Sequence, residues 1–312
     1  MVESLRVKSV DALLAGLVDY AGLFPPASED MRTALENYAS YREGDDRSAL
    51  GRFIVPLSRL NELEDAGRDL MRRADAVEPW QLSVLVAGDA LSAARTIADF
   101  NRRHGAGSKD GRAVIDVAEL KAGTTEEIVR DRLQLTEPLI VYFEIPIKGD
   151  VSPLIEAIAR AGARAKVRTG GVTPESIPPA AEVVDFIAAC KREGVAFKAT
   201  AGLHHPIRGS YRLTYEPGSD VGTMYGFLNV FFAAALIYAG EDKRTAIAVL
   251  EESDPGAFVF EDDAIVWRER RITTDQIEAS RRGFSTSFGS CSFREPVDEL
   301  AAITNATRSS DQ

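Results

Sequence analysis

Two lysines sit inside short apolar segments, and each is followed by a threonine and a glycine turn. Lys166 lies in residues 165–171 (AKVRTGG) and Lys198 in residues 195–205 (VAFKATAGLHH). An ammonium group within an apolar strand is costly to bury unless it is paired. Two such groups on consecutive strands would stand roughly 4.8 Å apart. A neighbouring cation and partial burial both lower a lysine pKa, and a neutral lysine is the nucleophile that forms an imine with a carbonyl compound. The competing expectation is structural: the lysines pair with Glu119 and Glu144, which also interrupt apolar segments.

Other groups of chemical interest fall near the same strand ends. Alternation puts Glu119 with Lys121, Tyr142 with Glu144, Lys166 with Arg168, and Lys198 with Thr200 on common faces. His204 and His205 follow directly. His204 suits general acid or base chemistry, because its reference pKa is near neutrality. Glu119, Glu144 and His204 form an alternative set of ligands for a divalent metal, although neither an H-x-H nor an HExxH spacing is present. Arg168, Lys121 and the turns at Gly170, Gly171 and Gly202 suit an anionic substrate, with His205 beside them. Ser290 and Cys291, in 284–293 (FSTSFGSCSF), fit a phosphate cradle, and Cys291 is also a candidate nucleophile. Residues 19–26 (DYAGLFPP) make a short strand with a rigid proline rim, read as 20–24 and leaning towards a site role.

The elements that hold these groups alternate regularly. An opening helix carries Val10, Leu13, Leu14 and Leu17 on one face, and a second, capped by Ser28, buries Met31, Ala34, Leu35 and Tyr38. Strands are expected at 52–56, 81–87, 113–120, 139–145, 166–168 and 196–200. Helices are expected at 58–73, 89–103, 124–135, 152–163 and 179–193, with a loop at 104–111. The strands are near-continuous apolar runs, as in a parallel sheet covered by helices. Residues 207–283 are an irregular insertion before the last strand. It holds helices and a hairpin turning at Asp262-Asp263. A final strand at 284–293 and a helix at 295–303 follow, and residues 304–312 read as a disordered tail. Eight such units predict an α/β fold: one (β/α)8 TIM-type barrel domain over residues 1–312, with its site at the C-terminal ends of the strands. A doubly wound sheet would carry a glycine-rich nucleotide turn, and none is present.

Composition narrows the partners. The chain has 312 residues and a formal net charge of −11, which argues against nucleic-acid and anionic-membrane binding. Its two cysteines, Cys190 and Cys291, form neither a disulfide framework nor a zinc spacing. With no signal-peptide pattern at the start, the expected location is the cytoplasm. Residues 221–240 carry no charge over a length that would span a bilayer. Inside a strand–helix alternation, that stretch reads instead as a buried helix or a homo-oligomer interface.

The segments AKVRTGG and FKATAG resemble the paired lysine strands of class I, Schiff-base aldolase barrels, most of all the deoxyribose-phosphate aldolase group. The resemblance implies an imine-forming Lys166 and a partner Lys198. The glycine pair, which follows the later lysine in that group, here follows the earlier one. The resulting expectation is a carbon–carbon lyase for a small anionic carbonyl compound, without a cofactor, in which Glu144 or His204 moves protons. The alternatives are a metal-dependent hydrolase or isomerase using Glu119, Glu144 and His204, and a non-catalytic barrel that assembles through 221–240.

Overall fold

The computed structural model of the protein describes residues 7–71, 79–105 and 113–310. Most of the loop expected at 104–111, the end of the helix expected at 58–73, and residues 311–312 lie outside the described residues.

The chain alternates as its periodicity demands. Helix α1 (Lys8–Leu14) leads into β1 (Val18–Tyr20). Then come α2 (Met31–Glu43), β2 (Leu50–Pro56), α3 (Leu60–Met71), β3 (Trp80–Leu85), α4 (Ala90–His104), β4 (Ala113–Lys121) and α5 (Thr125–Gln134). They are followed by β5 (Ile140–Glu144), α6 (Ser152–Arg160), β6 (Arg164–Arg168), α7 (Ala180–Arg192) and β7 (Phe197–Thr200). Helix starts are set by side chains that accept the free N–H groups of the first turn. Asp30, rather than the expected Ser28, caps α2, Asp89 caps α4, and Thr124 with Glu127 forms a capping box on α5.

After β7 comes a hairpin of β8 (Gly209–Arg212) and β9 (Val221–Met224), then α8 (Phe227–Ala239) and α9 (Lys243–Leu250). A three-stranded antiparallel sheet follows: β10 (Phe258–Glu261), β11 (Ala264–Trp267) and β12 (Arg270–Thr273). The expected turn at Asp262-Asp263 joins its first two strands. Helix α10 (Thr274–Gly283), β13 (Ser285–Ser290) and α11 (Arg294–Ser310) complete the chain. Helix α11 continues past residue 304, so the tail expected to be disordered from there is helical as far as Ser310.

Eight parallel strands close a barrel in the order β1-β13-β7-β6-β5-β4-β3-β2. The expected (β/α)8 fold is therefore present, with β13 as its eighth strand. Strand β1 begins two residues earlier than expected. Tyr20 is level with Ser290 of β13 and the chain turns at once, which places Asp19 within the strand.

The uncharged stretch 221–240 divides between β9 and α8. Among the described residues no helix is long and apolar enough to cross a membrane. Helix α8 is instead packed inside the chain. Phe227 stacks on Phe288 of β13, Phe232 meets Phe258 of β10, and α7, α9 and α10 lie against the helix. Asn229, the polar side chain in this helix, is satisfied by Arg208 N–H and by the carbonyls of Val249 and Glu252. Residues 227–237 are all buried within one chain. The expectation that this helix forms a homo-oligomer interface is thus corrected: the insertion already covers it.

Candidate active site

The lumen of the barrel holds a continuous chain of alternating charges. Lys166 and Lys198 are level on β6 and β7, and Glu144 is level with Lys166 on β5. Lys166 Nζ lies 2.9 Å from Glu144 Oε2 and 2.8 Å from Glu119 Oε2. The other oxygen of Glu119 accepts from Lys198 Nζ at 2.7 Å, and Lys198 also donates to Asp19 Oδ2 at 2.6 Å. Ser83 donates to Glu119 and Ser287 to Asp19. The backbone N–H of Arg52 donates to Asp19 Oδ1, and the Arg52 guanidinium grips both oxygens of Asp116. One carboxylate, Glu119, thus bridges the two lysines.

Burial and charge oppose each other here. Burial alone would lower the Lys198 ammonium, but Asp19 and Glu119 outweigh it and raise its pKa above the ordinary lysine value. Burial would raise the Glu119 carboxyl, but Lys166 and Lys198 more than offset it and hold it well below the usual carboxylate range. Lys198 is therefore a fixed cation beside Lys166, and both lysines take part in the expected carboxylate pairing.

The two lysines differ in access. Lys166, Glu144 and Glu119 line a cavity of about 1060 Å³ at the C-terminal ends of the strands. Lys198 is 1% exposed and is not part of that wall. Phe24, Pro25, Leu57 and Leu213 supply apolar surface, so part of the segment 19–26 lines this cavity. Lys121 and Arg168 lie 3.9 Å from Glu144 on its solvent side. These three residues also line an adjoining cavity of about 770 Å³.

The glycine turns have a packing reason. A methyl group on Gly202 would stand 3.1 Å from the Gly170 Cα, and Gly202 has a φ of +76°. Thr169 Oγ1 ties the two turns by donating to the Ala201 carbonyl at 2.9 Å. Gly170 lines the smaller cavity, while Gly171, Thr200 and Gly202 line the larger.

The larger cavity is also lined by His204, after β7, and Cys291, after β13. Cys291 Sγ is 3.7 Å from His204 Nδ1 and 3.7 Å from Tyr215 OH. His204 Nδ1 is 3.5 Å from Glu295 Oε2, and Tyr215 OH donates to that same oxygen at 3.0 Å. Burial alone would lower the His204 imidazole, but hydrogen bonds to Cys291 and Glu295 dominate and raise it to about 9. This shift favours the protonated, cationic form of His204, the form that a general acid uses.

Two expected site residues are turned away from the cavity. His205 stacks on Tyr211 and bonds Glu299 at 2.9 Å, while Ser290 accepts from Ser292 N–H and its carbonyl ties β13 to Ala21. The alternative metal set is not brought together: Glu119 Oε1 accepts from Lys198, Glu119 Oε2 is ion-paired with Lys166, and His204 stands at the rim with Cys291. Among the described residues, the ligand atoms close enough to hold a metal belong to His205, Glu295 and Glu299 on the rim.

Sequence reasoning left Ser83, Ser287, Tyr215 and Glu295 out of the site, and it carried Asp19 only as part of the rim segment 19–26. Tyr215 and Glu295 carried no signal, because they reach the site from the insertion and from α11. Compared with models of known protein families and with curated proteins, the chain matches none.

Proposed function

We propose that this barrel is a carbon–carbon lyase of the imine-forming type, acting on a small anionic carbonyl compound, with Lys166 as the nucleophile. The observation that carries this reading is the unequal access of two lysines that share one carboxylate. Lys198, locked between Asp19 and Glu119, keeps its positive charge on the strand beside Lys166. Glu144, 2.9 Å from Lys166 Nζ and facing the cavity, takes the proton that frees the amine. The amine adds to the substrate carbonyl, and loss of water gives the imine. Arg168, Lys121 and the His204 cation supply positive charge for an anionic substituent. The strand resemblance to class I aldolases agrees with this assignment.

The test is borohydride reduction in the presence of acetaldehyde, hydroxyacetone and pyruvate, followed by intact mass and peptide mapping. One reduced adduct on Lys166, absent in Lys166→Arg, is expected. Arginine keeps the charge that Glu119 and Glu144 require but does not form the imine. An adduct on another lysine, or none with any of the three compounds, defeats the proposal.

A further inference from the structure

The cavity has a second reactive wall that the imine does not use. Strands β6 and β13 are separated only by β7, so their ends stand roughly 10 Å apart across the mouth. Lys166 reaches in from β6 and leans towards β4 and β5, where its carboxylates lie. Cys291 follows β13 directly and faces the same cavity with His204. A three- to four-carbon chain held by its carbonyl on Lys166 extends towards the thiol, by roughly 1.5 Å per bond.

The surroundings of Cys291 suit a thiol that loses and regains a proton. A thiolate needs a nearby cation and a hydrogen-bond donor. Here the imidazole of His204 and the phenol of Tyr215 each stand 3.7 Å from the sulfur. Glu295 fixes both, at 3.5 Å from His204 and 3.0 Å from Tyr215. Burial pushes the Tyr215 phenol above its usual range, so it stays neutral; its one proton is given to Glu295, which leaves His204 as the donor facing the sulfur. Cys190, by contrast, is buried in α7 with its thiol pushed up by desolvation alone.

We infer that Cys291 is the acid–base residue for the oxygen of the second fragment, the group formed or consumed in the carbon–carbon step. This inference rests on the imine reading above. In the bond-forming direction the enamine electron pair makes the new carbon–carbon bond to an acceptor aldehyde. The carbonyl π pair moves onto the acceptor oxygen, which takes the proton of the Cys291 thiol. The S–H electron pair remains on sulfur as a thiolate facing the His204 cation, and water at the open mouth reprotonates it after product release. In cleavage, the thiolate accepts the hydroxyl proton as the carbon–carbon bond breaks. No oxidant or metal is required.

The half-reactions separate the two assignments. Imine formation and exchange of α-hydrogen in deuterium oxide need only the donor, whereas carbon–carbon bond formation also needs the acceptor. The donors are those of the trapping experiment, and the acceptors are glycolaldehyde and glycolaldehyde phosphate. Cys291→Ala and Cys291→Ser are expected to keep the borohydride adduct and α-exchange within about twofold while losing product formation by about 100-fold or more. Product formation unchanged in Cys291→Ala overturns the role of the thiol and leaves the imine standing. Loss of the adduct in both variants makes the thiol structural and also overturns it. A wild-type adduct without carbon–carbon product under any combination does the same. A wild type without an adduct defeats the imine itself, and this inference with it.

Discussion

The lumen and the rim of this barrel hold similar chemical groups under opposite conditions. In the lumen, Asp19, Glu119, Lys166 and Lys198 are all buried and linked at 2.6–2.8 Å by strand residues whose backbones are fixed by the sheet. At the rim, His204, Cys291, Tyr215 and Glu295 come from loops, the insertion and a helix, at 3.0–3.7 Å, and all but the buried Cys291 are partly open to solvent. A buried ion chain of this kind is weak evidence for stability in itself, but removing one member leaves an uncompensated charge. The rim contacts are longer and form no such chain of fully buried ion pairs. The lumen therefore fixes where the amine is, and the rim is free to set what reacts with it.

The largest expected effect follows from the lumen. Lys198→Met leaves Asp19 and Glu119 facing each other without their shared ammonium. It is expected to lower unfolding free energy by about 3–5 kcal/mol, read from the urea midpoint. A loss below about 1 kcal/mol would show that the lumen is as tolerant as the rim, and the contrast would fail.

The second effect is a pH dependence that originates at the rim. His204 has a folded pKa of about 9 against an ordinary value near 6.5. Its stabilisation is fully present below about pH 6.5 and is lost as pH rises through about 9, by up to about 3 kcal/mol. Chemical denaturation at pH 6, 7.5 and 9 should show that decline, and His204→Gln should flatten it. Glu119 acts in the other direction. Its depressed carboxyl stabilises the fold above about pH 4.3, and the contribution fades as pH falls below the usual carboxylate range.

Between lumen and rim lies the turn contact. Gly202→Ala places a methyl group against Gly170 at a left-handed backbone position, and is expected to cost about 1–2 kcal/mol. Thermal melts would measure it. The smallest effect is Tyr215→Phe, which removes a partly exposed hydrogen bond to Glu295 and should change stability by less than about 1 kcal/mol. If Tyr215→Phe destabilised more than Gly202→Ala, the rim would be a structural clasp rather than a reactive surface.

The alternation of apolar strands and amphipathic helices made the barrel, its hairpin at Asp262-Asp263 and the level placement of Lys166 and Lys198 legible in the chain, because those features depend on local periodicity. The pairing of the lysines with Glu119 and Glu144 was legible for a similar reason: charges in apolar strands need partners. The assignment of 221–240 to an interface was not correctable from the sequence, since a buried helix and an interface helix have the same composition. Only the packing of the insertion over α8 decided between them. Asp19 joined the lumen through closure of β1 onto β13, a contact between the two ends of the chain. The pairing of β13 with β7 brought Cys291 beside His204, where Tyr215 and Glu295 join them, while His205 and Ser290 face away. Residue type and spacing thus determined which groups must be paired. The choice of partner, and which of two equivalent lysines meets the cavity, depended on distances between segments far apart in the chain, which no local pattern encodes.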